Sequence, residues 1–149
     1  MKQRITGEQL TELTAHQKDN LRKWWKPEAG EPFCAMGKNN EIFNIGAMPK
    51  GVVFVDNQGV YPLLSIGQMI ELLDKKNPYY HISSPEREGD IDPQLTEHKD
   101  DEQWFEEHEI LNPYHWVIER NSVGFLDCTT EDLCDTLWEM TKYCLINYI

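Results

Sequence analysis

A chain of 149 residues, 40% hydrophobic and 27% charged, is long enough for one ordinary domain with its own core and too apolar for a disordered tail. Its formal net charge of −12 argues against direct nucleic-acid binding, which depends on Lys and Arg displacing counterions from phosphates, and against adsorption to anionic membranes. No apolar run approaches the ~20 residues of a membrane span, and no apolar stretch follows Lys2 and Arg4 as a secretory signal would require. The expected setting is therefore cytoplasmic, and the expected partner is a protein with a basic surface.

Thr6 and Gln9 form a capping pair ahead of a short first turn. Thr14 and Gln17 repeat the pattern ahead of a helix over 14–25, which Pro27 and Gly30 end. Leu13, Gln17, Leu21, Trp24 and Trp25 fall near one side of it. Trp24 and Trp25 are adjacent, so one helical stripe does not fully bury both, and one of them is expected either under the meander or exposed for a partner. From 31 to 60, short apolar runs broken by Gly and Asn read as strands over 32–36, 41–47 and 52–56, a small antiparallel meander with turns at 37–40 and 49–51. Ser65 and Gln68 cap a second helix over 65–76, whose buried stripe is Ile66, Met69, Ile70, Leu72 and Leu73. Asn77 and Pro78 stop it, and 79–83 reads as a strand.

Residues 84–112 read as an acidic insert or lid: a loop up to Thr96, then a short helix over 99–110. Between Glu86 and Glu109, eleven carboxylates are opposed only by Arg87 and Lys99, so nine of the twelve net negative charges sit in this segment. Strands over 114–120 and 123–127 follow, joined tightly at 121–122. Thr129 or Thr130 then caps a long helix with Leu133, Cys134, Leu137, Trp138, Thr141, Cys144, Leu145 and Tyr148 along one face. The expected fold is a single α+β domain, with small antiparallel sheets packed by two or three amphipathic helices.

Three segments resemble a group of small uncharacterised proteins of phages and prophages of Gram-positive bacteria. They are Pro62-Leu63-Leu64-Ser65-Ile66-Gly67-Gln68-Met69-Ile70-Glu71-Leu72-Leu73, Glu131-Asp132-Leu133-Cys134-Asp135-Thr136-Leu137-Trp138-Glu139-Met140, and Leu21-Arg22-Lys23-Trp24-Trp25-Lys26-Pro27 followed by Gly30. The acidic insert lies outside that pattern. The resemblance carries no catalytic residue; it implies a phage setting, where small acidic proteins often bind and block a host factor such as a defence nuclease, in the manner of an anti-CRISPR.

No catalytic motif is present, and no catalytic residue, metal or cofactor is expected. His98, Glu106, Glu107, His108, Glu109 and His115 are close in sequence but lack the tight spacing of zinc ligands. The four cysteines, Cys34, Cys128, Cys134 and Cys144, match neither a disulfide framework nor a metal knuckle; Cys134 belongs to an apolar stripe, and Cys128 alone stands near a helix start as a possible nucleophile.

The sharpest candidate is the insert itself. Asp100, Asp101, Glu102, Trp104, Glu106, Glu107 and Glu109 form a candidate partner-binding surface. Glu102, Glu106 and Glu109 would share one helical face, and Trp104 would be an apolar anchor ringed by charge. Such a surface mimics nucleic-acid phosphates and would occupy the Lys/Arg groove of a nuclease; the plainer reading is a solubilising loop, with Trp104 packing a lid. The alternative function is sequestration of a small molecule such as a signalling nucleotide, in a pocket lined by Arg22, Lys23, Trp24, Trp25, Lys26 and Tyr61. An enzyme is the third class, with no residue pattern in its favour.

Overall fold

Side-chain caps decide where the helices begin. In the structure, a computed structural model describing residues 2–37, 39–49, 59–76, 80–120 and 128–146, the pair Thr6/Gln9 starts α1 (Gly7–Leu10) and Thr14/Gln17 starts α2 (Ala15–Trp24). Ser65 Oγ accepts from Gln68 N at 3.1 Å and Gln68 Oε1 accepts from Ser65 N at 2.9 Å, which opens α3 (Ile66–Lys76). The last helix, α6 (Leu133–Ile146), is capped differently from expectation. Asp132 Oδ1, not a threonine, accepts from Asp135 N at 3.2 Å, while the Thr130 hydroxyl turns inward to Asp132 O and the Thr136 hydroxyl.

Two three-stranded antiparallel sheets carry the β-structure. The first joins β1 (Pro32–Met36), β2 (Ile42–Ala47) and β3 (Val60–Pro62) in the order β2-β1-β3. The strand expected at 52–56 lies outside the described residues; the observed third strand is β3, eight or so positions later, on the other side of β1. Gly59 makes that pairing possible. It sits at φ 87°, its carbonyl oxygen accepts from Met36 N at 2.6 Å, and a Cβ there would lie 2.6 Å from the Met36 carbonyl oxygen. The second sheet joins β4 (Tyr80–Ser83), β5 (Trp116–Arg120) and β6 (Cys128–Thr130) in that order. Its last strand falls where a helix cap was expected, and the stretch 123–127 lies outside the described residues.

One buried cluster draws on both sheets and all three long helices. Leu21, Cys34, Tyr61, Met69, Leu72, Ile118, Leu137 and Trp138 belong to it, so the chain forms the expected single α+β domain. Helix α6 packs against α2 and α3 and lies on β5 and β6. Its C-terminal carbonyls, which a helix leaves without internal partners, are met by polar side chains of α2. Gln17 Nε2 donates to Lys142 O (2.8 Å), buried Asn20 Nδ2 donates to Leu145 O (2.7 Å), and His16 Nε2 lies 2.9 Å from Ile146 O. Neither tryptophan of the adjacent pair is exposed. Trp25 is buried with its Nε1 donating to Glu31 Oε2 (2.7 Å), and Trp24 is half-buried against the core. The reason is local: Trp25 leaves the helix in an extended conformation, which frees it from the stripe geometry.

Candidate functional site

The acidic segment is more ordered than a loop with one helix. A single 3-10 turn spans Glu88–Asp90, α4 spans Pro93–Thr96 and α5 spans Glu102–Glu107. Two of its acids act as caps: Asp92 Oδ1 accepts from Gln94 N (3.0 Å) and Asp101 Oδ1 from Trp104 N (3.1 Å). Helix α5 stops earlier than expected because Glu109 adopts a left-handed conformation, φ 53°. Ile110 N then bonds Phe105 O (3.0 Å) and Glu109 N bonds Glu106 O (3.2 Å), a Schellman ending with Glu where Gly is usual.

That ending corrects the expected site geometry. Glu109 does not extend a helical face through Glu102 and Glu106; it follows the helix. The turn nonetheless brings the three together, since Glu102, Glu106 and Glu109 line an open recess of 430 Å³ with Phe105, Ile110, Leu111 and Asn112. Trp104 is not the free anchor expected of it. Its ring stacks on His98 (centroids 3.7 Å apart, planes within 2°) and on His108 (4.3 Å), so the protein's own imidazoles cover it. The exposed apolar groups are Ile110 and Leu111, at 39% and 52% accessibility. Sequence reasoning missed them as anchors; their signal was an apolar pair directly after a helix with no strand pattern to bury it.

All eleven carboxylates between Glu86 and Glu109 are exposed. Among the described residues, no Lys or Arg comes within ion-pair distance of any of them. Among the described residues, the one basic side chain within ion-pair distance of these carboxylates is His115, whose Nδ1 lies 3.9 Å from Glu102 Oε1. Lys99 instead sits over the Tyr114 ring, 5.2 Å from its centroid. Asp100, Asp101, Glu102, Glu106, Glu107 and Glu109 are thus exposed, with no Lys or Arg partner among the described residues. Behind the recess Asn112 is buried; its Oδ1 accepts from Tyr114 N (3.0 Å), and its Nδ2 has no hydrogen-bond partner.

The six residues of the alternative ligand set are not brought together. Arg22 and Tyr61 line a 620 Å³ recess between α2 and the first sheet, together with Lys18. Trp24, Trp25 and Lys26 line a separate 160 Å³ recess with Glu28, Glu31, Gln68, Glu71 and Lys75, and Lys23 is exposed on neither. Lys23 and Trp24 follow Arg22 within α2, where successive residues are turned about 100° around the axis, so they face away from the recess that Arg22 lines. Lys18 was the residue missed.

Cys34, Cys134 and Cys144 are buried and free of disulfides, and burial pushes the Cys134 thiol up to about 11, a packing role and not that of a nucleophile. The side chain of Cys128 lies outside the described residues. Among the described residues no three His, Cys, Asp or Glu side chains converge as metal ligands, and no helix is long and apolar enough to cross a membrane. Comparison of the chain with protein-family models, curated proteins and solved structures finds no match.

Proposed function

We propose that this protein is a non-catalytic accessory factor that binds, and thereby inhibits, a host protein through its acidic face. The reading places it in a phage or prophage of a Gram-positive bacterium, acting in the host cytoplasm on a protein with a basic surface such as a defence nuclease. What supports it is one observation: eleven exposed carboxylates in one ordered segment, without a Lys or Arg partner among the described residues, three of them lining a recess that exposes Ile110 and Leu111. Unopposed charge of this density costs stability through self-repulsion, so it favours a use outside the molecule. Asp101, Glu102, Glu106 and Glu107 span seven residues, roughly 10 Å at the α-helical rise, or one charge per ~2.6 Å. Duplex DNA carries one per ~1.7 Å of axis. A groove built for phosphates would meet a similar density here, and an apolar side chain beside that groove would seat against Ile110 and Leu111.

The test compares affinity capture from a Gram-positive host lysate by the wild-type protein and by a variant carrying Glu102→Gln, Glu106→Gln, Glu107→Gln and Glu109→Gln. Proteins held by the wild type at low salt, lost at high salt and not held by the variant are then assayed for nucleic-acid binding or cleavage with and without the protein. The reading predicts inhibition by the wild type alone. Capture that is indifferent to both salt and the four substitutions, or a captured enzyme whose activity is unaffected, removes it.

A further inference from the structure

The strongest feature outside the acidic face is the 620 Å³ recess at the N-terminal end of α2, a size typical of small-molecule sites. Lys18 points into it from a position only 9% exposed. Its ammonium meets the Asn40 side-chain oxygen and lies 5.8 Å from the Tyr61 ring centroid, but has no carboxylate within ion-pair distance among the described residues. Arg22 follows one helical turn later, its guanidinium 6.0 Å from the same ring and its buried Nε without a hydrogen-bond partner.

Two cations beside one aromatic ring repel each other, and Lys18, largely desolvated, has no counterion among the described residues. In a chain with twelve excess negative charges this is not for want of carboxylates. Asp19 also lines the recess, but its side chain is exposed and forms no ion pair among the described residues. The first turn of the ten-residue α2 adds the positive end of its dipole, with the Thr14 hydroxyl at its cap. Burial holds the Lys18 ammonium below its ordinary pKa, the direction expected of a cation awaiting a partner.

We propose that this recess binds a small organic anion of nucleotide size, whose phosphate or carboxylate group sits between Lys18 and Arg22 beside Tyr61. The site shares no residue with the acidic face and stands whether or not that face binds a protein.

Two-dimensional amide NMR of the whole chain tests it, with inorganic phosphate, citrate, nucleoside 5′-monophosphates and the matching neutral nucleosides as probes. Saturable shifts centred on Lys18, Arg22 and Gly59 are expected with at least one phosphate or carboxylate and not with the neutral nucleosides. Phosphate and citrate separate the two anion chemistries. Arg22→Gln and Lys18→Gln, each checked for an unchanged fold by the same spectra, are expected to weaken binding about tenfold or more, the effect of ~1.4 kcal/mol. Lys18→Met in the ligand-free protein is expected to keep or raise Tm, because it removes an uncompensated buried charge. No saturable shift at roughly 10 mM probe, equal response to the nucleosides, undiminished binding in the variants, or a lowered Tm for Lys18→Met would each overturn the proposal.

Discussion

Phe105 is the residue on which the acidic face hangs, and Phe105→Ala separates that face from the rest of the fold. The side chain is 2% exposed yet stands outside the main buried cluster, and among the described residues no other helix or strand packs broadly against α5. A phenylalanine buries about 150–250 Å², which at ~25 cal/mol per Å² is about 4–6 kcal/mol and overlaps the ~3–5 kcal/mol typical of Phe→Ala. Helix α5 has six residues, far below the roughly 12–15 at which an isolated helix becomes marginal, so little else holds it. The loss therefore falls on local opening and not on global unfolding. Native-state hydrogen exchange reads this directly. The amides of His108 and Ile110, bonded to Trp104 O and Phe105 O, should lose about three orders of magnitude of protection, while Thr136, bonded to Asp132 O in α6, should be nearly unchanged. Capture of a basic partner should fail although Tm barely moves. If both sets of amides lose protection equally, the segment is part of one cooperative unit. If neither changes, Phe105 does not hold it.

Asn20→Ala removes the 2.7 Å donor to Leu145 O and leaves a buried carbonyl unsatisfied. The expected cost is about 2 kcal/mol, or a fall in Tm of about 4–8 °C at this chain length, read by calorimetry. A fall under about 1 °C would mean that water replaces the amide. Glu109→Gly relieves the left-handed conformation at φ 53°, a strain of about 1–2 kcal/mol for an L-residue, against about 0.5–1 kcal/mol of added chain entropy. Helix α5 should become more protected than in Glu109→Ala, which removes the same charge but keeps the strain; equal exchange in the two variants would show the conformation to be unstrained.

The elements legible from sequence were those whose determinants are local. Thr14 with Gln17 and Ser65 with Gln68 act across three residues, so the starts of α2 and α3 can be read without knowing what they pack against. The alternating strand β1 and the stripe of α6 were legible for the same reason. What escaped depends on contacts between distant residues. Strand β3 has three residues and exists because Tyr61 pairs with Cys34 and Gly59 admits the Met36 carbonyl. Asn20 looks out of place on an apolar helix until the end of α6 arrives beside it. In the candidate site, the exposure of the carboxylates followed from their density, but the covering of Trp104 by His98 depended on how the chain turns between α4 and α5.

The two proposed sites answer to the same electrostatic field with opposite sign, and that keeps them distinguishable. Nine of the twelve net negative charges lie between residues 86 and 109, so the long-range potential attracts a basic protein and repels any small anion. Salt screens this field over a Debye length of about 8–10 Å near physiological strength. The association rate of a basic partner should therefore fall as an inert salt is added. The approach of an anion to Lys18 and Arg22 should become faster, because the repulsion it must cross is the same distant charge that draws the protein partner in. Neutralising Glu102, Glu106, Glu107 and Glu109 should imitate salt in both respects at once. Opposite responses follow from the opposite charges of the two ligands, so independence is read from linkage instead: saturating the recess with an anion should leave capture of the basic partner unchanged, and any change in that affinity would show the two sites to be coupled.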